Sequence, residues 1–415
     1  MLRSDPVWHP FTQEREYQAE RDRVVIVRGR GAYLYDRRGR KFLDGHSSLW
    51  VNLHGHRHPR LDAAIRRQLG RVAHSTLLGQ DNDVATRLAG ELIRLVRREG
   101  LSLDRVFYSD DGSTAVEAAI KIALQYWQNV GQPRRDLFVS FRHGYHGDTL
   151  GAVSVGGIDL FHARFKPLLF RAAAVPVGDV AALARLIERR GRRIAAILVE
   201  PALQMAGGIL PHPRGFLRRV DRLRRKAGAL LIADEVAVGF GRTGTMFACS
   251  QEGVSPDLLM LAKGLTGGYL PLAATLATEK IYAAFLGTYG ASRHLFHGHS
   301  YTGNALACAA ALANLEIFKR DHTLDRVRRL ASILRRELDR LRRLPHVGDV
   351  RQVGLIAGVE LASDSARMGY KVCLEARRRG VLLRPLGNVI PLLPPYVISE
   401  RDLVRLVRVV GDSIR

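Results

Sequence analysis

The 415 residues are 47% hydrophobic and 25% charged, the balance of a globular chain long enough for a large core and two domains. The net charge is +24, but the arginines are spread over helix-like faces (Arg218, Arg219, Arg222, Arg224, Arg225; Arg326, Arg328, Arg329, Arg335, Arg336) with no aromatic-laced basic stripe, which argues against nucleic acid. No run approaches a membrane-spanning length, Met1–Pro6 lacks the apolar core of a signal peptide, and Cys249, Cys308 and Cys373 suggest neither a disulfide framework nor a metal site, so a reducing cytoplasm is expected.

Trp8-His9-Pro10-Phe11-Thr12 places aromatics around a proline, an arm that needs something to pack on. Residues 24–44 alternate through Val24–Val27 and Ala32–Asp36, turn at Gly39 and continue as Lys41–Asp44, a small antiparallel meander. The polar loop Gly45 to His56 holds one large aromatic, Trp50, and is a binding-loop candidate. His54, His56 and His58 have no carboxylate at ligand spacing, so turn and hydrogen-bonding roles are expected. Arg60 to about Gly70 and Asn82 to about Arg98 are amphipathic helices.

Val106–Ser109 reads as a strand running into Asp110-Asp111-Gly112-Ser113-Thr114, with a helix from Ala115. Such a junction can bind an anion through free amides and the helix dipole; the simpler reading is an ordinary helix cap. Leu137–Phe141 is a strand leading to Gly144-Tyr145-His146-Gly147, where a flat aromatic between glycines can lie on a ring. Ile194–Glu200 is a further strand. Leu230–Val236 carries Asp234 at its end, and Leu258–Leu261 runs into Lys263 and Gly264. Two strands that deliver Asp and Lys suggest one crevice at the carboxyl edge of a parallel sheet. Pyridoxal phosphate needs this pair: its aldehyde carbon bonds a lysine, and a carboxylate holds the proton on its ring nitrogen. The glycines of Gly239–Gly244 do not follow the dinucleotide pattern.

His297–Asn304 precedes a small-residue helix, Ala305 to about Lys319, and is a second candidate phosphate turn. Strands at Val350–Val353, Ile356–Leu361, Val381–Pro385 and Val389–Ile390, then a helix from Glu400, read as a separate α+β domain. Arg384, in an apolar strand, is either a fork for a substrate carboxylate or half of a structural ion pair. The expected fold is α/β, with a mostly parallel sheet flanked by helices.

Taken together, these motifs resemble the class III, fold-type I, pyridoxal-phosphate aminotransferases. The resemblance runs from Trp8 to about Tyr396. It rests on Trp8–Thr12, Asp44–Trp50, Ala123–Trp127, Gly144–Thr149, Ala233–Val236, Gly239–Gly244, Lys263–Gly268 and Arg384-Pro385. It implies a seven-stranded-type sheet in a large cofactor domain (59–305). It also implies a smaller α+β domain formed from both chain ends (1–58 and 306–415). By the same resemblance Lys263 bonds pyridoxal 5'-phosphate and moves the proton, Asp234 pairs with the ring nitrogen, and Tyr145 stacks on the ring. Gly112 and Ser113 hold the phosphate, and Ser300 reaches the phosphate of a neighbouring subunit in a homodimer with shared sites. Trp50 and Gly298 line the substrate pocket, and Arg384 grips the substrate carboxylate.

The aromatic start and the Ser47-Ser48-Leu49-Trp50 loop resemble the branch that converts 8-amino-7-oxononanoate to 7,8-diaminononanoate in biotin biosynthesis. S-adenosylmethionine is the expected amino donor. Phe11 and Pro391 stand where hydroxyl-bearing aromatics are usual, and 73–79 and 297–304 look closer to a lysine-using branch, so L-lysine is the alternative donor. By the same resemblance Val238 stands where threonine is more usual, and the stretch after Val175 looks shorter than in the family. Another class III ω-amino acid aminotransferase is the remaining alternative.

Overall fold

The computed structural model describes residues 6–20 and 22–415; Met1–Asp5 of the opening segment lie outside the described residues. A seven-stranded sheet forms the centre. Its spatial order is Arg105–Ser109, Ala273–Ala277, Leu258–Leu261, Leu230–Asp234, Ile194–Val199, Leu137–Phe141, Ala172–Val175. Ala273–Ala277 runs antiparallel to both of its neighbours, and every other adjacent pair in the sheet is parallel. This is the mostly parallel α/β sheet expected from the sequence.

The central strands are apolar throughout because helices cover both faces of the sheet. Ile194–Val199, Leu230–Asp234 and Leu258–Leu261 are buried at every position. Two separate apolar clusters pack on the opposite faces, one around Leu231, Leu259 and Phe240, the other around Ile232, Met260 and the helix Gly112–Asn129. Parallel strands send their carboxyl ends to one edge. Ser109, Phe141, Val199, Asp234 and Leu261 therefore release their following residues into a common crevice.

The two ends of the chain meet in a second sheet. Ile26–Arg30, Tyr33–Asp36 and Lys41–Asp44 form the antiparallel meander, and Val381–Leu382 adds to its edge in parallel, Val381 opposite Leu43 and Leu382 opposite Asp44. A third sheet pairs Val347–Val353, Ile356–Leu361 and Val389–Leu392.

Three sequence expectations shift. The first strand starts at Ile26 rather than Val24. The Val381–Pro385 run is a strand only over Val381–Leu382, so Arg384 sits in a connecting segment and not in a strand. Pro385 has no amide hydrogen and cannot extend the ladder. Two strands of the central sheet, Ala172–Val175 and Ala273–Ala277, were not anticipated, because alanine carries little strand signal.

Candidate active site

A cavity of about 460 Å³ opens at the carboxyl edge of the central sheet, and six of the sequence-selected residues line it: Trp50, Gly112, Ser113, Tyr145, Asp234 and Lys263. Lys263 lies two residues beyond Leu261, in a short turn, with its backbone in the left-handed region at φ +42°. A non-glycine residue held there stores strain that the surrounding packing must support. Burial is the largest influence on its amine and lowers it from the ordinary lysine value, with Asp234, Glu200 and Asp111 partly opposing. A lysine lowered in this way releases its proton more readily, as a nucleophile and base must.

Asp234 ends the neighbouring strand and is 5% exposed. Its Oδ1 accepts the Val236 amide at 3.0 Å, and its Oδ2 lies 2.7 Å from His146 Nδ1. The buried His146 thereby fixes the direction of the carboxylate. Glu200, at the end of the next strand, accepts the Tyr145 amide at 3.1 Å and the Met205 amide at 2.9 Å. Burial pushes its carboxyl up to about 7. Tyr145 is held at its other end as well, its hydroxyl donating to Asp148 Oδ2 at 2.7 Å. The ring is thus clamped across the cavity wall. His146, Glu200 and Asp148 were not singled out from the sequence. Their only signal was their position beside Tyr145 and at a strand end.

The third side is the start of the helix Gly112–Asn129, capped by Asp111, whose side chain accepts the Thr114 amide. The first-turn amides of Gly112 and Ser113 have no carbonyl four residues back in the helix, and both residues line the cavity. A Cβ at Gly112 would fall 2.7 Å from Val236 Cγ1, so glycine lets the helix start pack directly on the turn after Asp234. Trp50 closes the opposite wall, its ring centre 5.6 Å from Lys263 Nζ.

A second cavity of about 1010 Å³ adjoins the first and shares Trp50, Tyr145 and Lys263 with it. Arg384 lines it. The guanidinium lies 5.3 Å from the Phe11 ring centre, and Phe11 in turn packs edge-on against Phe161. The arm bearing Phe11 is tied to the C-terminal part of the chain by Glu16–Arg367 at 2.7 Å and by Glu20–Arg377. Gly298 and Ser300 lie elsewhere. Both are exposed, on the segment before the Ala305–Arg320 helix, and the Ser300 carbonyl oxygen is 2.8 Å from His74 Nε2.

The fold and this edge define a class. The family model of class III aminotransferases matches residues 16–413, and the chain belongs to that family. It is 50% identical, over 98% of its length and 80% of the relative's, to the adenosylmethionine-8-amino-7-oxononanoate aminotransferase of Nitratidesulfovibrio vulgaris. The crystal structure of the enzyme of that name from Methanocaldococcus jannaschii superposes with a TM-score of 0.96 at 42% identity, covering 99% of this chain and 96% of that one. An amine transaminase from an uncultivated Pseudomonas species, solved with pyridoxal phosphate bound, gives a TM-score of 0.92 at 34% identity, covering 99% and 98%.

The cofactor of the family is pyridoxal phosphate, and the residues present fit it. A depressed lysine amine, a buried and oriented carboxylate, a clamped aromatic ring and a helix start with free amides converge on one cavity. Lys263 would bond the aldehyde, Asp234 would hold the ring nitrogen's proton, and Gly112 and Ser113 would hold the phosphate.

Proposed function

We propose that the chain transfers an amino group to 8-amino-7-oxononanoate, giving 7,8-diaminononanoate, with S-adenosylmethionine as donor. The observation that carries the reading is Arg384. It has no ion pair with a described acidic residue, faces a cavity continuous with Lys263, and is backed by the Phe11 ring. A free guanidinium in such a place suits the carboxylate of a long acid whose carbonyl end reaches Lys263. The names of the full-length relatives support the same substrate.

Bound at this edge, the cofactor supplies an electrophilic aldehyde and a ring that withdraws electrons from the reacting carbon. The residues do the rest. Lys263 Nζ, which burial lowers from the ordinary lysine value, takes and returns the proton of the substrate carbon. Asp234, aimed by His146, presents its carboxyl group at the ring-nitrogen end. Tyr145 and Trp50 exclude water from the two sides. Arg384 sets the distance between the substrate's carboxylate and its reacting carbon.

The enzyme works as a homodimer in this reading, with Ser300 and Gly298 serving the partner's site. Exposed Leu78, Tyr289, Phe296 and Tyr301 on the same surface segments support a covered face. The domain division at residues 58 and 305 and a cytoplasmic location belong to the same proposal. The test is a half-reaction. The yellow holoenzyme is mixed separately with S-adenosylmethionine and with L-lysine, and 8-amino-7-oxononanoate is added afterwards. S-adenosylmethionine should bleach the absorbance and the keto acid should restore it. Bleaching by lysine alone assigns lysine as donor, and no recovery with either donor removes the biotin-pathway substrate.

A further inference from the structure

We propose that Asp44 is a positioning residue for the substrate wall: it holds residues 47–50 in a left-handed turn that sets Trp50 and Leu49 in place. This rests on the acid-binding reading above for its kinetic arm only.

Ser47, Ser48, Leu49 and Trp50 have φ of +52°, +48°, +68° and +72°. These are four successive non-glycine residues in the left-handed region. The Trp50 amide donates to the His46 carbonyl at 2.8 Å and the Val51 amide to the Ser47 carbonyl at 3.0 Å, closing one turn of left-handed helix. In that conformation the Cβ of each L-residue crowds the following carbonyl oxygen. Such a run persists only where its surroundings over-determine it.

Asp44 is the strongest of those surroundings. It is 0% exposed. Its Oδ1 accepts the Ser48 amide at 2.9 Å, and its Oδ2 accepts the Ser48 hydroxyl at 2.8 Å. His56 Nε2 lies 3.0 Å from Oδ2, and His46 Nδ1 lies 3.1 Å from Oδ1. Burial alone would raise this carboxyl, but the His46 and His56 rings and the Ser48 amide outweigh it and hold it well below the usual range. On the other side the Ser47 hydroxyl donates to the Leu393 carbonyl at 2.6 Å.

The anchor is itself fixed. Asp44 is the last residue of its strand and pairs with Leu382, two residues before Arg384. One ladder therefore registers both the turn that displays Trp50 and the segment that carries the carboxylate fork. Trp50 ends 6% exposed, against Lys263, while Leu49 opens into the Arg384 cavity. A right-handed turn from the same anchor would carry both side chains off this wall.

The test uses Asp44→Asn, which keeps the shape and loses the charge, with Ser48→Gly as rescue. Glycine takes the left-handed conformation without penalty. Asp44→Asn should raise KM for the keto acid about tenfold while kcat changes less than about threefold. Adding Ser48→Gly should recover most of the loss. The second readout needs no turnover. In a Trp8→Phe background the remaining tryptophans are Trp50 and Trp127, 6% and 5% exposed. Acrylamide quenching should rise in Asp44→Asn and fall again with the glycine. Wild-type KM and quenching in Asp44→Asn, or a folded variant that glycine does not rescue, overturns the proposal. If Asp44→Asn does not fold, Ser48→Gly and Ser48→Val decide, since a β-branched residue resists a positive φ. Valine should raise KM and quenching and glycine should not; equal behaviour overturns the proposal. Failure of the wild-type protein to turn over the keto acid counts against the substrate reading, and the quenching series still decides the role of Asp44.

Discussion

The wall that carries Lys263 and Asp234 and the wall that carries Trp50 and Arg384 bound two adjoining cavities but are held by different means. Lys263 and Asp234 follow buried strands of the central sheet, and their positions come with the ladder between Leu230–Asp234 and Leu258–Leu261. Trp50 and Arg384 sit in connecting segments from opposite ends of the chain, and a two-residue pairing of Val381–Leu382 with Leu43 and Asp44 brings them together. The first wall is rigid by hydrogen bonding and burial. The second depends on a strained turn and a few polar anchors. Chemistry common to a family belongs on the first kind of wall, and substrate choice can vary on the second.

Breaking the first wall should have the largest effect. Lys263→Ala should lower turnover by about 10⁴-fold or more, because one side chain serves as both nucleophile and base. The visible absorbance of the loaded protein should shift as well, since the amine no longer bonds the aldehyde. A variant that kept even a tenth of wild-type turnover would remove Lys263 from its assigned role.

On the second wall the effect should be smaller and of another kind. Arg384→Ala should raise KM for the keto acid by roughly 100-fold, the usual loss when one side of a charged, hydrogen-bonded pair is truncated. Turnover of a small amine lacking a carboxylate should stay within about threefold of wild type. If both substrates suffered equally, Arg384 would be a structural residue and the two walls would not divide as described.

The same division decides what the sequence could show. An apolar run that ends in one charge is visible without a structure, and Lys263 and Asp234 were found that way. His146 was not, because its partner Asp234 is 88 residues away and no spacing rule links them. Arg384 stood out as either a carboxylate fork or half of an ion pair, but the strand expected around it is too long because Pro385 ends the run. The left-handed turn had no signal of the usual kind. No glycine occurs between Gly45 and Gly55, and the conformation is imposed by Asp44 and by Leu393, far along the chain. Alanine-rich Ala172–Val175 and Ala273–Ala277 are strands through their neighbours, not through their own preference.

The smallest effect expected lies behind the first wall, in the dependence of stability on pH. Glu200 is 5% exposed, and its carboxyl is pushed up to about 7 from an ordinary 4.5, chiefly by burial and further by Asp234. The His146 ring and the Met205 and Tyr145 amides oppose the rise. The folded chain therefore keeps a proton that the unfolded chain has already released between these two values. Stability falls as pH rises through that window and levels off above it, by an amount on the order of 1–3 kcal/mol. Glu235 is raised in the same direction, also chiefly by burial, so it adds to the slope. Asp44 is depressed, so its contribution is lost only as pH falls through lower values, outside the window. Glu99 and Asp257 are also raised, chiefly by burial, while His54 and His212, lowered to about 4 chiefly by burial, act in the opposite sense, so Glu200→Gln removes one descending contribution among several. In thermal melts from about pH 5 to about pH 8, the variant's stability should therefore gain on that of wild type as pH rises. An unchanged difference between the two across that range would mean that Glu200 stays ionised when folded.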